Sequence, residues 1–323
     1  MATYLVTGAA GFIAAKVCEH LLDVGHAVVG LDNLNDYYDI RLKEWRLQRL
    51  RGRVGFEWHQ ADIEDLATLE PVFAAKRFDA VINLAARAGV RASLEQPALY
   101  ASTNIQGERN VLECQRRHGV KKHVLASSSS LYAGCPMPFT EDLAVAQPQS
   151  PYAETKKAAE QLAREYHEQH GLDVTVLRYF TVFGPAGRPD MAPFRFIKWI
   201  DEGTPITLFG DGTQARDFTY VDDIARGTVL ALRPLGHEVI NLGGGRQPLS
   251  LLTIISYIEQ ALGKKAQVTG QPPSAADMKE TWADIGKAQR LLGWAPAIPA
   301  EEGFRRAVTW HLANRELVRK IKV

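Results

Sequence analysis

The sequence has few cysteines and no long apolar run. Its 323 residues include only Cys18, Cys114 and Cys135, with no CxxC pair and no His-x-x-x-His partner to complete a metal site. We therefore expect no disulfide framework, no metal centre and a reducing, cytoplasmic compartment. No window of about 18 residues is apolar throughout, and the amino terminus lacks a basic and apolar leader. The sequence thus predicts a soluble, unprocessed chain without a membrane span.

An excess of charge of either sign is also missing. The chain has 38 basic and 37 acidic residues, and its formal net charge is +1. No long-range field therefore favours nucleic acid or an anionic membrane as a partner. The apolar share of 46% and the charged share of 23% are typical of a globular protein. At roughly 100–200 residues per domain, the length predicts two lobes or one large one.

Short β-branched runs alternate with helical periodicity through the first half of the chain. The runs at residues 4–7, 27–31, 56–59, 80–84 and 124–126 predict strands, followed by a helix over 151–170 and a sixth strand at 174–178. This alternation predicts an α/β fold, a Rossmann-type doubly wound parallel sheet with helices on both faces. A further helix is expected over 220–232, a strand at 238–241 and a charged surface helix over 301–322.

After Gly184 the composition of the sequence changes, because prolines and glycines break the chain into short elements. This change predicts a second, smaller α/β lobe that interleaves with the first. We expect residues 1–183 to form a dinucleotide-binding domain to which residues 217–242 return. Residues 184–216 and 243–323 would form the smaller, substrate-binding lobe.

A glycine-rich turn, GAAGFIA at residues 8–14, follows the first strand and opens a helix. Gly8 permits the tight turn, and Gly11 lets the backbone approach a pyrophosphate. The exposed amide groups at the start of the helix, beginning with Phe12 and Ile13, stabilise the negative charge. An ordinary strand-to-helix turn is the alternative, but the strand before the turn and an acidic residue after the next strand favour a dinucleotide.

Two aspartates follow the second and third strands. Asp32 stands where a carboxylate grips the ribose diol of the adenosine, and it would repel a 2′-phosphate, so NAD is favoured over NADP. The alternative is a turn aspartate in Asp32-Asn33. Asp62, followed by Ile63, is placed to accept a hydrogen bond from the adenine amino group, and the alternative is a helix N-cap.

The most specific feature is YAETK at residues 152–156, preceded by four serines at 127–130. On a helix Tyr152 and Lys156 share a face, so the ammonium is expected to lower the phenol pKa from about 10 toward the working pH. Tyr152 would then act as a general base. Ser128, at the end of the fifth strand, would hydrogen-bond the reacting oxygen. The alternatives, an exposed helical pair and a flexible serine loop, do not explain the conjunction of the motifs.

Together these motifs resemble those of the extended short-chain dehydrogenase/reductase family, the sugar-nucleotide epimerases and dehydratases. The resemblance covers nearly the whole chain and includes NLAA at 83–86, RYFTVFGP at 178–185 and RDFTYVDD at 216–223. Asn83 departs from it, since the family usually has His there. The resemblance implies tightly held NAD, a nucleoside diphosphate sugar as substrate and a homodimer formed through the helices at 96–118 and 151–170.

The resemblance also implies a set of site residues. The cofactor-binding residues would be Gly8, Gly11, Phe12, Ile13, Asp32, Asn33, Lys43, Asp62, Ile63, Leu84, Ala85, Ala86, Asn104, Tyr152 and Lys156. The substrate-binding residues would be Arg91, Ser129, Ser130, Phe180, Thr181, Arg188 and Arg216. Arg216 matches the arginine that grips the substrate pyrophosphate. For Arg216 the alternative is a surface ion pair with Asp217, and for Arg188 it is a loop cap.

The residues before Tyr132 narrow the chemistry within the family. Dehydratases carry an Asp-Glu pair there, and glucuronate decarboxylases carry Glu two places before the tyrosine. This chain has Ser129, Ser130 and Leu131 instead. With no carboxylate to drive elimination or carbon loss, the remaining chemistry is reversible oxidation at one carbon, which is epimerisation.

Two further stretches, DNLNDYYD at 32–39 and GRPDMA at 187–192, are similar to the UDP-glucuronate 4-epimerase subgroup. We therefore expect an isomerase that converts UDP-glucuronate to UDP-galacturonate through a 4-keto sugar without decarboxylation. A UDP-glucose/galactose 4-epimerase is one alternative, and it would tolerate loss of Arg188. A non-catalytic NAD sensor is another, and it would be unaffected by Tyr152→Phe. Arg87 and Ala133 replace the Gln and Gly usual in the subgroup, and Arg87 adds charge near the expected ligands.

Overall fold

A computed structural model of the chain describes residues 1–145, 147–272 and 278–323. The β-strands are β1 (Thr3–Thr7), β2 (Ala27–Asp32), β3 (Phe56–Gln60), β4 (Ala80–Asn83), β5 (Lys122–Ser128), β6 (Asp173–Tyr179), β7 (Thr181–Phe183), β8 (Ile206–Phe209), β9 (Ala215–Arg216), β10 (Phe218–Tyr220), β11 (His237–Leu242), β12 (Leu249–Ser250) and β13 (Val268–Gln271).

The helices connect these strands and cover the sheet. They are α1 (Phe12–Asp23), α2 (Ile40–Arg51), α3 (Leu66–Ala75), α4 (Val90–Glu95), α5 (Pro97–Ala101), α6 (Gly107–His118), α7 (Pro151–His170), α8 (Ala192–Glu202), α9 (Val221–Leu230), α10 (Leu251–Leu262), α11 (Gly286–Leu292), α12 (Ala300–Ala313) and α13 (Arg315–Lys320). A π-helical turn (Ser102–Gln106) joins α5 to α6, and a 3₁₀ turn (Ser129–Tyr132) follows β5.

One seven-stranded sheet organises the fold, in the order β11-β6-β5-β4-β1-β2-β3. Every neighbouring pair in it is parallel. The predicted doubly wound α/β class and its seven strands are therefore confirmed. The strand order reverses between β1 and β4, and the crevice beyond the carboxyl ends of such strands is where ligands bind in open α/β sheets.

Apolar side chains form separate clusters on the sheet and beside it. The sheet cluster includes Val6, Val124 and Leu177, all buried. Another cluster is built around Phe183 and Phe304, whose rings stack with centroids 4.3 Å apart. The second cluster brings together β8, β10, α8, α10 and α12, and β10 pairs with β7 outside the main sheet. The domain boundaries derived from the sequence stay a prediction.

The carboxyl-terminal segment differs from its sequence prediction. Instead of one surface helix over 301–322, the chain forms α12 and α13, separated at Asn314. Phe304 and Val308 are buried in the second apolar cluster, while Glu302 pairs with Arg305 on the exposed face. The segment is amphipathic, and its many charges concealed the buried side in the sequence. In the part of the chain that the structure describes, no helix has both the length and the apolar content needed to cross a bilayer.

Candidate active site

The glycine-rich turn lies at the point where the strand order reverses. Gly8 follows β1 with φ +68°, and a Cβ there would lie 2.9 Å from the Cα of Ala85, which follows β4. A Cβ on Gly11 would lie 2.8 Å from the Gly8 carbonyl oxygen. Gly11 is also the N-cap of α1, and its lack of a side chain leaves the first amide groups of that helix without a side-chain acceptor. These residues form a cradle that fits a diphosphate.

Hydrogen bonds from Thr7 fix the second side of this cradle. The Thr7 hydroxyl accepts from the backbone N–H groups of Leu84 and Ala85, both at 3.1 Å, and donates to the Asn83 side chain. Asn83 in turn donates to the buried Glu108 carboxylate. The ends of β1 and β4 are therefore held together, with Leu84 and Ala85 next to the glycine turn as the sequence predicted.

Asp32 lies at the carboxyl end of β2 and is buried. Its carboxylate accepts from the backbone N–H of Ala10, at 3.2 Å, and from that of Leu34, at 2.8 Å. The second bond is the turn interaction that was the alternative reading of Asp32, so the residue closes a local turn and also contacts the glycine-rich segment. This position beside Ala10 is compatible with the proposed contact to a ribose.

Asp62 is held by Asn33 and does not cap a helix. The Asn33 side chain donates to the Asp62 carboxylate at 2.8 Å. Helix α3 is capped by Asp65, whose carboxylate accepts from Ala67 N. The N-cap alternative for Asp62 is therefore wrong, because the helix begins one turn later than the sequence suggested. Ile63 packs with its side chain against Gly107 in the core.

Lys43 and Asn104 hold loops around the site. The Lys43 ammonium donates to the backbone carbonyl of Asn35 at 2.7 Å and to its side-chain oxygen at 3.0 Å, and burial lowers the pKa of Lys43. The Asn104 side chain accepts from Arg87 N at 2.9 Å and donates to Arg87 O at 3.0 Å. Asn104 sits in the π-helical turn, a distortion common at functional sites. Both residues thus anchor backbone segments, including the one that contains Ala86.

Tyr152 lies in the first turn of α7 and is buried. Ser150 caps this helix by accepting from Ala153 N at 3.2 Å, and Pro151 begins it. The Ser128 hydroxyl, at the end of β5, lies 3.0 Å from the Ser130 hydroxyl and close enough to the Tyr152 phenol to oppose the rise of its pKa. The predicted meeting of the serine run with the tyrosine is therefore present.

The prediction that Lys156 lowers the pKa of Tyr152 is wrong. Burial raises the pKa of Tyr152, and the opposing influences are the Ser128 hydrogen bond and the charge of Arg188. The Lys156 ammonium instead donates to the Ala126 carbonyl at 2.7 Å. Burial lowers the pKa of Lys156 to about 8. Helical spacing correctly placed the two residues on one face, but the long lysine side chain reaches β5.

The charge of Arg188 acts to lower the pKa of Tyr152. Arg188 lies in the loop after β7. Its guanidinium lies over the Tyr37 ring, 5.5 Å from the centroid, with Nη2 3.4 Å from the Tyr37 hydroxyl. Tyr37 and Tyr100 both donate to the Ala88 carbonyl, and the Tyr100 and Tyr152 rings lie 6.2 Å apart. Three phenols and one guanidinium therefore lie next to one another.

Asp190 pairs with Arg188, so the loop-cap alternative is partly correct. The Arg188 Nε–H donates to Asp190 at 3.0 Å, and Nη2 donates to the second carboxylate oxygen. The charge of Arg188 lowers the pKa of Asp190 against the opposite effect of burial. The N–H groups of Arg188 Nη1 form no hydrogen bond with the described residues and are available to a ligand.

Arg87 contacts the same tyrosine ring. Its guanidinium is 5.8 Å from the Tyr37 ring centroid, and its charge contributes to lowering the pKa of Lys43. The Arg87 Nε atom is buried and has no hydrogen-bond partner in the described part of the chain. Arg87 therefore adds positive charge to the site, as the sequence predicted.

The other predicted substrate residues lie on separate elements of the fold. Ser129 is buried beside Ser128, and Thr181 begins β7. Arg216 lies on β9, where its Nη1 donates to the Ala215 carbonyl at 2.9 Å. The guanidinium of Arg91 stacks on the Phe209 ring at 4.8 Å.

Phe180 and Asp217 make structural contacts that the sequence did not show. The ring of Phe180 is buried against Tyr132 and Phe139, 6.3 Å from each ring centroid, so this ring contributes to packing. Asp217 is buried and accepts from the backbone N–H groups of Gly244 and Ala283. A surface ion pair of Arg216 with Asp217 is therefore wrong, because Asp217 is not at the surface.

Sequence reasoning missed Tyr37, Tyr100, Asp190 and Arg46 as members of the site. Tyr37 and Asp190 lie within the two stretches that were compared with the epimerase subgroup, and that resemblance was the available signal. Tyr100 occupies an ordinary apolar helix position, and Arg46 is one of several basic residues on α2. For these two no local pattern points to the site.

The arrangement can transfer a proton to or from a bound hydroxyl. Tyr152 supplies the phenol, Ser128 orients it, and the Arg188 charge favours its ionised form. The glycine cradle and Asp32 supply the groups that hold a dinucleotide nearby. Within residues 1–145, 147–272 and 278–323, no three His, Cys, Asp or Glu side chains are grouped as a metal site.

Comparison with known proteins gives one family. Residues 4–243 match the model of the NAD dependent epimerase/dehydratase family. A UDP-glucuronate 4-epimerase from Thermodesulfobacterium geofontis is 57% identical over 323 residues, which are 100% of each chain.

Solved structures agree with this match. The UDP-glucuronic acid 4-epimerase from Bacillus cereus, in complex with UDP-glucuronic acid and NAD, has a TM-score of 0.90 at 38% identity, covering 96% of this chain and 99% of the other. The UDP-glucose 4-epimerase from Thermotoga maritima with UDP-glucose has a TM-score of 0.88 at 31% identity, covering 97% and 99%. Both similarities extend over both apolar clusters.

Proposed function

Because the chain belongs to the NAD dependent epimerase/dehydratase family, we propose that it is an isomerase that uses NAD to interconvert UDP-glucuronate and UDP-galacturonate. One observation carries the proposal: the Arg188 guanidinium lies 3.4 Å from the Tyr37 hydroxyl and close enough to the Tyr152 phenol for its charge to lower the pKa of that phenol. A base beside a cation suits a sugar that offers a hydroxyl to the first and a carboxylate to the second.

The cofactor would be held by the residues of the cradle. The amide groups around Gly8 and Gly11 would bind its diphosphate, Asp32 its adenosine ribose, and Asp62 with Asn33 its adenine. When bound, NAD supplies a reversible acceptor for a hydride from the sugar and, when oxidised, a positive charge.

Tyr152 would handle the proton of the sugar 4-hydroxyl. The phenolate removes this proton as C4 is oxidised, and it returns the proton when C4 is reduced with the opposite configuration. Ser128 would hold the reacting oxygen beside the phenol, and Lys156 would raise the positive potential of the site. Between the two events the 4-keto sugar has to present its other face.

The carboxylate needs a firm hold in this reaction. The 4-keto form of a uronate is a β-keto acid, and it loses carbon dioxide when the C5–C6 bond aligns with the carbonyl π system. We propose that Arg188 Nη1, Thr181 and Ser129 hold the carboxylate so that this bond stays near the carbonyl plane. Arg216 would bind the substrate diphosphate from the second lobe.

One observation favours a neutral sugar instead. Asp190 accepts two hydrogen bonds from Arg188, so the pair carries no net charge toward a ligand. A UDP-glucose/galactose 4-epimerase would need no free cation at this place. Turnover of UDP-galactose without turnover of UDP-glucuronate would support this alternative.

Incubation of the purified protein with UDP-glucuronate, with no cofactor added, tests the proposal. We expect UDP-galacturonate as the main product by nuclear magnetic resonance of the sugar, because the protein retains its NAD. A UDP-pentose as the main product, or turnover of UDP-galactose without turnover of UDP-glucuronate, would contradict the proposed reaction.

The protein is also proposed to form a homodimer through α5 and α7. A groove between these helices is lined by small and apolar side chains, including Ala98, Ala101, Ile105 and Ala158. Helices with small residues at their contact approach closely and bury apolar area. Ala101→Arg should therefore shift sedimentation velocity toward the monomer, and an unchanged sedimentation coefficient would contradict this interface.

A cytoplasmic location is the last part of the proposal. Cys18, Cys114 and Cys135 are free in the structure, and Cys18 and Cys114 are buried. Free buried thiols are compatible with a reducing compartment. Localisation of a tagged copy in cell fractions would test this, and recovery in a secreted fraction would contradict it.

A further inference from the structure

Arg46 on α2 is buried, with 4% of its surface exposed, and its guanidinium donates only to oxygen atoms of uncharged groups. Nε and Nη2 both donate to the Ala186 carbonyl, at 3.1 and 2.6 Å, and Nη2 also donates to Gly187 O at 3.3 Å. Nη1 donates to Ala10 O at 3.1 Å and to the Tyr38 hydroxyl at 2.8 Å. The guanidinium thus joins the nucleotide turn to the loop that precedes Arg188.

A buried cation without a counterion is costly. Among the described residues no carboxylate lies within 4.0 Å of Arg46, although desolvation of a guanidinium has to be offset by its contacts. Its hydrogen bonds use donors on all three nitrogens, and its plane lies over the rings of Phe12 and Tyr38, at 5.9 and 5.6 Å. A leucine or methionine would fill the same volume at lower cost, so the donors themselves have a role.

The loop that Arg46 holds contains a strained residue. Ala186 has φ +52°, in the left-handed region that non-glycine residues rarely adopt, and it directly precedes Gly187 and Arg188. Such a conformation is sterically unfavourable for a residue with a Cβ. The hydrogen bonds from Arg46 to the Ala186 carbonyl hold the peptide in this orientation, and the direction in which Arg188 leaves the loop depends on it.

We propose that Arg46 is a positioning residue, which fixes the Arg188 loop against the nucleotide turn and so sets the preference for a sugar with a carboxylate. Arg46 itself does not touch the substrate in this proposal. The inference rests on the proposed function, because it assumes that Arg188 meets the carboxylate.

Binding to an inactive, NAD-loaded protein tests this role. In a Tyr152→Phe background, calorimetry gives the dissociation constants of UDP-glucuronate, UDP-glucose and UDP. Arg46→Met keeps the apolar stem and removes the donors. We expect it to reduce the preference for UDP-glucuronate over UDP-glucose about tenfold, while affinity for UDP changes less than about twofold. Arg46→Lys should reduce this preference by an intermediate amount, because one ammonium cannot reach all three carbonyls.

Arg49→Met is the matched control on the same helix. Arg49 lies one helical turn after Arg46, is exposed and stacks on Trp45, 5.0 Å from the ring centroid. The sugar preference should stay as in the parent. Equal weakening of both sugars by Arg46→Met, or an unchanged preference, would overturn the proposal. The NAD content of each variant, measured after acid release, shows whether the nucleotide turn is intact; if Arg46→Met does not fold, Arg46→Lys is judged by the same criterion.

A double-mutant cycle separates an action through Arg188 from a general loss of structure. In an Arg188→Met background, Arg46→Met should change the sugar preference less than about twofold. A change as large as in the parent would show that Arg46 acts by another route. If the parent itself does not prefer UDP-glucuronate, the proposed function fails, and this result is distinct from failure of the role of Arg46.

Discussion

The cofactor side and the sugar side of the pocket are built differently. On the cofactor side, Gly8, Asp32 and Asp62 stand at the ends of consecutive sheet strands. On the sugar side, Tyr37 and Arg188 come from loops that meet across 151 positions of sequence. The first set is fixed by local turns and strand order, and the second by contacts between distant segments.

This difference shows where affinity and selectivity arise. A diphosphate is recognised by backbone amide groups, and any sequence that forms the turn provides them. In the proposed reaction, a sugar carboxylate would be recognised by the Arg188 side chain, whose loop contacts Asp190 and Arg46. Changes on the cofactor side should thus affect all substrates, and changes on the sugar side should affect only some.

Removal of the Tyr152 hydroxyl, which lies between the two sides, should have the largest effect. We expect Tyr152→Phe to lower turnover of UDP-glucuronate by roughly 10²–10⁴-fold, because the phenol proposed to transfer the proton of the sugar 4-hydroxyl is lost. Steady-state assays measure this, with bound NAD checked by acid release. Tyr166→Phe on the same helix should retain full activity. Full activity of Tyr152→Phe would contradict the role of Tyr152 as the base, and a wild type without turnover would support the sensor alternative.

Lys156 gives a pH-dependent test of the cofactor side. Its pKa is about 8 in the folded protein against 10.5 for an unperturbed lysine, so between these values the unfolded chain binds more protons and wild-type stability rises with pH. Lys156→Met lacks this dependence. In NAD-free protein its stability relative to wild type should therefore fall by about 3 kcal/mol from pH 7 to pH 10.5.

Denaturant titrations at several pH values measure this difference. Lys121→Met, which removes an exposed lysine before β5, should show no comparable trend. A constant difference between wild type and Lys156→Met across the range would contradict the depressed pKa.

Gly8→Ala should damage the cofactor side without changing selectivity. The new Cβ would meet the Ala85 backbone at 2.9 Å, and φ is +68°. We expect a loss of about 2 kcal/mol in stability and a lower NAD content. Gly25→Ala is the control, since it has φ +80° but no atom within 4 Å of its Cβ. Equal effects of the two substitutions on NAD content would contradict the cradle.

Arg188→Met should have the smallest but most selective effect. We expect the preference for UDP-glucuronate over UDP-glucose to fall about tenfold, or about 1.4 kcal/mol, because a charged donor to the carboxylate is lost. Competition binding assays measure the preference, and Arg233→Met, on an exposed residue, is the control. A parallel decrease for both sugars would place Arg188 outside sugar recognition.

The sheet was predictable because each strand is a short local run. The strands at 4–7 and 27–31 are within two residues of β1 and β2, and β5 is longer than predicted, since Lys122 and Ser128 extend it. The carboxyl-terminal segment was wrongly predicted as one surface helix, because its many charged residues suggested that it is exposed. Every third or fourth residue of α12 is nevertheless buried. Helix packing across lobes is not visible in a local window.

For the candidate site, the motifs predicted which residues of the serine run and of α7 lie together, but they did not predict the electrostatics. Spacing placed Tyr152 and Lys156 on one face, but it could not show that burial outweighs the lysine or that Lys156 binds Ala126 O. Arg46 could not be distinguished from Arg49, because both lie on a strongly basic helix and only tertiary contacts separate them. The motifs indicate candidate residues for the site. The direction of each side chain depends on tertiary contacts, which the motifs do not show.

Transfer of a deuterium label tests the central claim most directly. The protein as purified is given UDP-glucuronate deuterated at C4, and the product is examined by nuclear magnetic resonance. The account predicts UDP-galacturonate that keeps deuterium at C4 and shows no exchange with solvent at C5, because Tyr152 moves only the hydroxyl proton. Loss of the label to solvent, or exchange at C5, would contradict oxidation and reduction at a single carbon.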